Sequence, residues 1–276
     1  MATESARVGI FEPIHAAHAL EQVTLGIQFE RSVTARAFAQ ISKEAEAFAD
    51  FSERQELQGV SISIGAPVGG SSVANGLLFR KKHEDGSAGS AYDLIVDASS
   101  IVFRTTRYTR WKEVWTQAEK YFVKLTPLYK TPIASLQLNF VDKFRWQGEI
   151  SESRPKIMLR PNSPYLPAHV FEQPDLWHSH TGVFLKMSSK IKRLLNVNVD
   201  HSEEKVKDVT KRQVVISTFL NDMLNQDGYE VEEISGEEAI PFFKERFGAL
   251  HDFGKEVFGQ TISDEMAKRI ALKESS

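Results

Sequence analysis

Apolar residues alternate at Val23, Leu25, Ile27 and Phe29, the two-residue period of a strand with one buried face. The period then changes. Phe38, Ile41, Ala45 and Phe48 recur three or four residues apart and predict a helix over about 33–56. Alternation returns at Val60, Ile62 and Ile64, at Leu77 to Arg80, at Tyr92, Leu94 and Val96, and at Ile101 and Phe103. A Gly/Ser-rich loop, Gly65 to Gly76, and a turn at Asp85-Gly86 separate these short strands. The gaps are too short for helical crossovers, so antiparallel hairpins are expected. Trp111, Val114, Trp115, Ala118, Phe122 and Leu125 form the buried face of a second helix over about 109–125, which Pro127 is expected to end.

Leu136, Leu138, Phe140, Phe144 and Trp146 fall on even positions, the longest alternating run in the chain, and read as a central strand. Residues 147–181 break the pattern and hold five of the 10 prolines: Pro155, Pro161, Pro164, Pro167 and Pro174. Strands resume at Val183, Leu185 and Met187, at Ile191, Leu195, Val197 and Val199, and at Val214, Ile216 and Leu220. Asp227-Gly228 predicts a turn into a further strand at Tyr229 and Val231. Ser235 and Glu238 have capping-box spacing for a helix that starts near 236 and buries Phe242, Phe243, Phe247, Leu250, Phe253 and Val257. A last helix is expected over about 262–272.

This pattern predicts an α+β fold in two halves, each an antiparallel sheet packed by long amphipathic helices. The expected boundaries are 1–150, a Pro-rich connection over 151–181, and 182–276. No repeat of fixed period is visible, but the similar plans suggest a pseudo-repeat.

Composition narrows the function classes. With 41% hydrophobic and 26% charged residues, the 276-residue chain has globular composition. The absence of cysteine excludes disulfides, thiolate metal sites and a cysteine nucleophile, and fits a reducing cytoplasm. The N-terminal residues do not read as a signal peptide, and no apolar run approaches the length of a membrane span. With 34 basic and 37 acidic side chains, the chain is not a general polyanion binder.

Catalytic motifs are missing: there is no Walker loop, dinucleotide fingerprint, zincin helix or nucleophile elbow. Catalytic residues therefore stay unassigned, no cofactor is implied, and whether the protein is an enzyme is left open. Four clusters carry chemistry. His178 and His180, at i and i+2, point to one side of an extended segment, where they could share a ligand or a metal with Asp175, His169 or His201. Arg104, Arg107 and Arg110, interleaved with Tyr108 and Trp111, suit phosphates and stacked bases. A second basic group, Lys186, Lys190, Lys192 and Arg193, also reads as a lysine-protected sheet edge. Residues 227–238 hold acidic but no basic side chains and could dock a basic partner.

The order of elements and three stretches resemble a sporadically distributed family of uncharacterised prokaryotic proteins of about 250 residues, a size that suits one large or two small domains. The stretches are the strand Val23 to Phe29 followed by a helix, Tyr108-Thr-Arg-Trp111-Lys-Glu-Val-Trp115 leading to a long strand with Asn139, and Phe258-Gly-Gln-Thr261-Ile-Ser after the C-terminal helix. The chain departs from the family pattern at Leu136-Gln-Leu-Asn139-Phe140, which lacks the usual arginine. The resemblance implies a soluble bacterial protein and supplies no activity and no site. Three functional readings follow. The first is a non-catalytic binding or assembly protein with a protein partner or as a homo-oligomer. The second is a nucleic-acid-associated protein of a defence or mobile-element system, using the arginines. The third is a small-ligand binder or metal-dependent enzyme using His178 and His180. None of the three involves a membrane.

Overall fold

The computed structural model describes residues 9–57, 76–86, 89–206, 208–231 and 233–272. The strand expected at Val60, Ile62 and Ile64, and the loop that follows it up to 75, lie outside the described residues. Ten strands are described: β1 (Ile10–Pro13), β2 (Leu20–Phe29), β3 (Glu53–Leu57), β4 (Gly76–Lys82), β5 (Ser90–Val96), β6 (Ser100–Thr105), β7 (Ile133–Gln147), β8 (Trp177–Lys186), β9 (Lys192–Val206) and β10 (Val209–Met223). Four α-helices accompany them: α1 (Ala35–Glu46), α2 (Trp111–Tyr129), α3 (Ala239–Thr261) and α4 (Asp264–Arg269).

The expectation of two separate sheets is overturned. All ten strands belong to one antiparallel sheet in the order β3-β4-β5-β6-β2-β7-β10-β9-β8, with β1 pairing the far end of β7. The joint is the β2–β7 pair, which runs from Leu20 opposite Asp142 to Phe29 opposite Ile133 with register shifts near both ends. Two half-sheets would each leave a row of unpaired peptide groups along a central strand. Pairing the two rows with each other removes both edges. Strand order is the same on either side of the joint. β2 is followed outward by β6, β5 and β4, and β7 by β10, β9 and β8. A helix follows the last strand of each set, α2 after β6 and α3 after β10.

Side-chain parity gives the sheet two unlike faces. Val23, Leu25 and Ile27 of β2 share one face with Leu136, Leu138 and Phe140 of β7 and with Val214, Ile216 and Leu220 of β10. All nine are buried, and α1, α2 and α3 form a single layer over this face. One apolar cluster runs from Leu77 on β4 to Val199 on β9. The opposite face is mixed: it carries Thr24, Asn139, Ser217, Lys143 and Arg145, together with Val141, Val215 and buried Phe219 and a small apolar cluster of Leu78, Ile95 and Val102.

Four smaller expectations also change. The first helix stops at Glu46 instead of continuing to 56, because residues 53–57 pair with β4 as an edge strand. α2 runs through Pro127 to Tyr129 and is capped by left-handed Lys130. Proline in the last turn removes one amide bond, and burial of Leu125, Thr126 and Tyr129 offsets that loss. Gly228 does turn the chain, with φ +80, but no strand follows and Val231 is exposed. Ser235 makes no cap, and α3 begins at Ala239 after a single 3-10 turn, Gly236–Glu238. The proline-rich segment after β7 forms three short 3-10 turns. It is pinned by buried Met158, Leu159, Leu166 and Val170, and by a bridge between Leu159 and Ile262. No described helix is long and apolar enough to cross a membrane.

One buried ion pair ties the β9 end of the sheet to α3. Asp222 of β10 accepts from Arg193 Nε at 2.6 Å and Nη2 at 2.8 Å, and both side chains are nearly inaccessible. The Arg193 guanidinium lies 4.9 Å from the Phe253 ring of α3, and Arg246 of α3 approaches Asp222 at 3.7 Å. Asp222→Ala leaves Arg193 buried without its counter-charge, and is expected to cost about 3–5 kcal/mol of unfolding free energy in urea titrations.

Candidate functional site

Where the helical layer and the sheet do not meet, a cavity of about 410 Å³ remains. Five segments wall it. The turn before β2 contributes Ala17 to Leu20, and the start of α2 contributes Tyr108 to Trp111. β7 contributes Phe140 and Asp142. α3 contributes His251, Gly254, Lys255 and Phe258, and the chain after α4 contributes Ile270 to Leu272. The α3 residues fall at i, i+3, i+4 and i+7, one face of a helix. Gly254 sets how closely α3 lies on the sheet. A Cβ there would come within 2.9 Å of Phe140 Cε2 and 3.1 Å of Leu220 Cδ1. The register shift between Leu20 and Gln22, opposite Asp142 and Val141, is a bulge that bends β2 beside the cavity.

Asp142 is the central feature. It occupies an even position of β7, so it points from the sheet into the apolar layer between Phe140 and Phe144. It is 4% exposed, and among the described residues its carboxyl group has no hydrogen-bond or ion-pair partner. Burial alone pushes its pKa from 3.8 up to about 8. Tyr108 shares its environment. Burial, and then the nearness of Asp142, push the phenol up to about 12, against an opposing backbone contact from Trp111. At neutral pH both groups are therefore protonated and can donate hydrogen bonds.

Two histidines complete the polar wall. His18 has its ring 5.4 Å from Tyr108 and 4.6 Å from His15, and its Nδ1 is buried without a partner. Burial, then the neighbouring His15, hold its pKa below the usual value. His251 stacks on Trp111 at 4.5 Å with an interplanar angle of 17°, and bonds Asp252 through Nδ1 at 2.9 Å. Burial lowers its pKa as well, with Lys255 adding to the effect and Asp252 opposing it. The exposed members of the lining, Ala17, Thr109, Arg110 and Ala271, mark the mouth.

The histidine and arginine clusters expected from the sequence sit elsewhere or are divided. His178 and His180 lie on the mixed face of the sheet, on β8, opposite Asp200 and Asn198 of β9. Nδ1 of His178 is 2.5 Å from Asp200 Oδ1, and His180 contacts the Asn198 side chain. His201 points to the opposite face. It is buried and held by the Ser153 hydroxyl at 3.1 Å and the Asp175 carbonyl at 3.0 Å. Among the described residues, no group of three or more His, Asp or Glu side chains is placed to hold a metal. The arginines separate too. Arg104 is on the mixed face, where it and Arg80 share the fully buried Asp93. Arg107 and Arg110 line a neighbouring hollow of about 610 Å³ with Tyr92, Lys112 and Glu113. Arg110 alone also borders the Asp142 cavity.

No protein-family model matches the chain, and no curated protein matches it. The functional reading therefore rests on the geometry.

The Asp142 carboxyl contributes a pH dependence of known sign. Its folded-state pKa is raised, so the protonated form favours the fold. That stability is complete below pH 3.8 and is lost as the pH rises through about 8. Each pH unit in the window contributes up to about 1.4 kcal/mol. In urea titrations between pH 5 and 8, Asp142→Asn is expected to flatten the fall in stability, so that the variant gains on the parent as pH rises.

Proposed function

We propose that this protein is a small-molecule receptor whose ligand enters between α2, α3 and β7 and presents a polar group to Asp142. The observation that carries this reading is the buried Asp142 carboxyl group, which has no hydrogen-bond or ion-pair partner among the described residues and faces the cavity. Unpaired polar groups in protein interiors are costly and are normally satisfied. A cavity of this volume lies within the usual range for ligand sites, and its lining combines aromatic and aliphatic walls with a polar wall that can orient a ligand. The cysteine-free composition supports the reducing cytoplasm as its compartment. The matching strand order around the β2–β7 joint supports a pseudo-repeat within the chain. The test is native mass spectrometry and thermal unfolding against a chemically varied small-molecule panel, with Ala17→Trp as a plug at the mouth. A ligand present at about a hundred times its Kd is expected to add about 2.7 kcal/mol of stability. The plugged variant should fold and lose that gain. A ligand that stabilises the plugged variant equally is bound somewhere else and sinks the assignment.

A second reading, assembly with another copy of the chain, is favoured by the outer edge of β8. The other end of the sheet, β3, carries Glu53, Arg54 and Glu56, charges that discourage strand pairing. On and just after β8, by contrast, Val183, Phe184 and Met187 are 36%, 62% and 39% exposed. Antiparallel pairing of two β8 strands about a twofold axis would bring Lys186 and Lys190 of one copy toward Glu172 and Asp175 of the other. Light scattering on size-exclusion fractions should show a dimer that Phe184→Lys converts to a monomer. A parent chain that is monomeric at about 100 µM, where interfaces with Kd near 1 µM are saturated, removes this reading.

A further inference from the structure

We propose, resting on the cavity reading above, that the group which meets Asp142 is an organic ammonium carried on a compact apolar or aromatic body. The geometry favours a cation over the alternatives. The inner end of the cavity offers one carboxyl group and aromatic rings. Trp111 and Phe140 stand with ring centroids 6.4 Å apart, and Trp111 is stacked on His251. Ring faces attract an ammonium ion, tryptophan most strongly. A carboxylate in the same low-dielectric site gains far more from a cation than it would in water.

Charged and titratable neighbours come from three segments. From the turn before β2 come His15 and His18, and from the segment leading into α2 come Tyr108 and Arg110. From α3 come His251 and Lys255. β10 places Ile216 opposite Asp142, and β2 places Leu20 there. Burial is the single cause acting on the Asp142 carboxyl, so none of these cations neutralises it. His18 and His251 are held toward their neutral forms and do not compete for the role. Arg110 stands at the mouth and half-buried Lys255 on the α3 wall, and both repel polycations. A ligand with a single ammonium group fits this arrangement, and an anionic group at its outer end would meet Arg110.

The proposal fixes a proton balance. In the empty protein at pH 7 the Asp142 carboxyl is mostly protonated. Binding an ammonium ion stabilises the carboxylate, so the carboxyl proton leaves to solvent and the ligand keeps its own. Close to one proton should be released per ligand bound. Affinity should rise up to tenfold per pH unit until about pH 8 and then level.

Three probes of one shape separate the outcomes: phenethylamine, phenethyl alcohol and hydrocinnamate, as cation, neutral isostere and anion. Calorimetric titration at pH 7 in two buffers of different ionisation enthalpy reads affinity and proton release together. The expected result is phenethylamine binding at least tenfold tighter than the alcohol, with proton release. Asp142→Asn should abolish both the preference and the release while still binding the alcohol. If the alcohol or hydrocinnamate binds tighter than the amine, the ammonium assignment falls and the cavity reading stands, with Asp142 acting as a neutral donor. Equal amine affinity in Asp142→Asn also overturns the assignment. If no probe binds at millimolar concentration, both fall.

Discussion

Pairing of β2 with β7 gives the molecule a single sheet with a single apolar face, and the rest of the chain has to cover that face. α1, α2 and α3 lie on it, and the proline-rich segment after β7 adds Met158, Leu159, Leu166 and Val170 to the same core. The other face carries ion pairs instead, with Asp93 between Arg80 and Arg104 and Glu204 between Lys143 and Arg145. The hydrophobic gain is proportional to apolar area removed from water, so the positions of helices relative to the sheet follow from the strand order. At the cavity five segments converge on that face around Asp142.

Three aspartates on the strands show how the fold treats buried charge. Asp93 is fully buried but shared by Arg80 and Arg104. Asp222 is equally buried and has a two-point bond to Arg193. Asp142 is buried to a similar degree and has neither. The first two have a counter-charge beside them, while burial without one pushes the Asp142 carboxyl up to about 8. A carboxyl group that holds its proton near neutral pH is poised to change state when its surroundings change. This difference in environment, with the open volume beside Asp142, separates a functional candidate from structural ion pairs.

Much of the architecture was legible in the periodicity. The alternating runs at Val23 to Phe29, Leu136 to Trp146 and Val214 to Leu220 all lie on strands, and the stripes of Trp111 to Leu125 and Phe243 to Val257 all lie on helices. What periodicity does not carry is which strand edges meet, so one sheet was read as two. The site had one visible signal. Asp142 interrupts the even-numbered series Leu136, Leu138, Phe140, Phe144, Trp146, and a charged residue on the buried side of a strand is unusual. His18 and His251 had no such mark, since they are brought beside Tyr108 and Trp111 only by the packing of remote segments. His178 and His180 share one side of β8, while His201 has the opposite parity and faces the other side of the sheet.

Gly254 has an implication for how the protein can change over evolutionary time. The absent methyl group at that position fixes the gap between α3 and the sheet, with Phe140 on one side and Leu220 beneath. A larger residue at 254 would have to arrive together with a smaller one at 140 or 220, or else lift the helix and widen the floor of the cavity. The three positions should therefore drift as a linked set. Lineages in which the set has shifted would be those whose cavity has been resized for a different occupant.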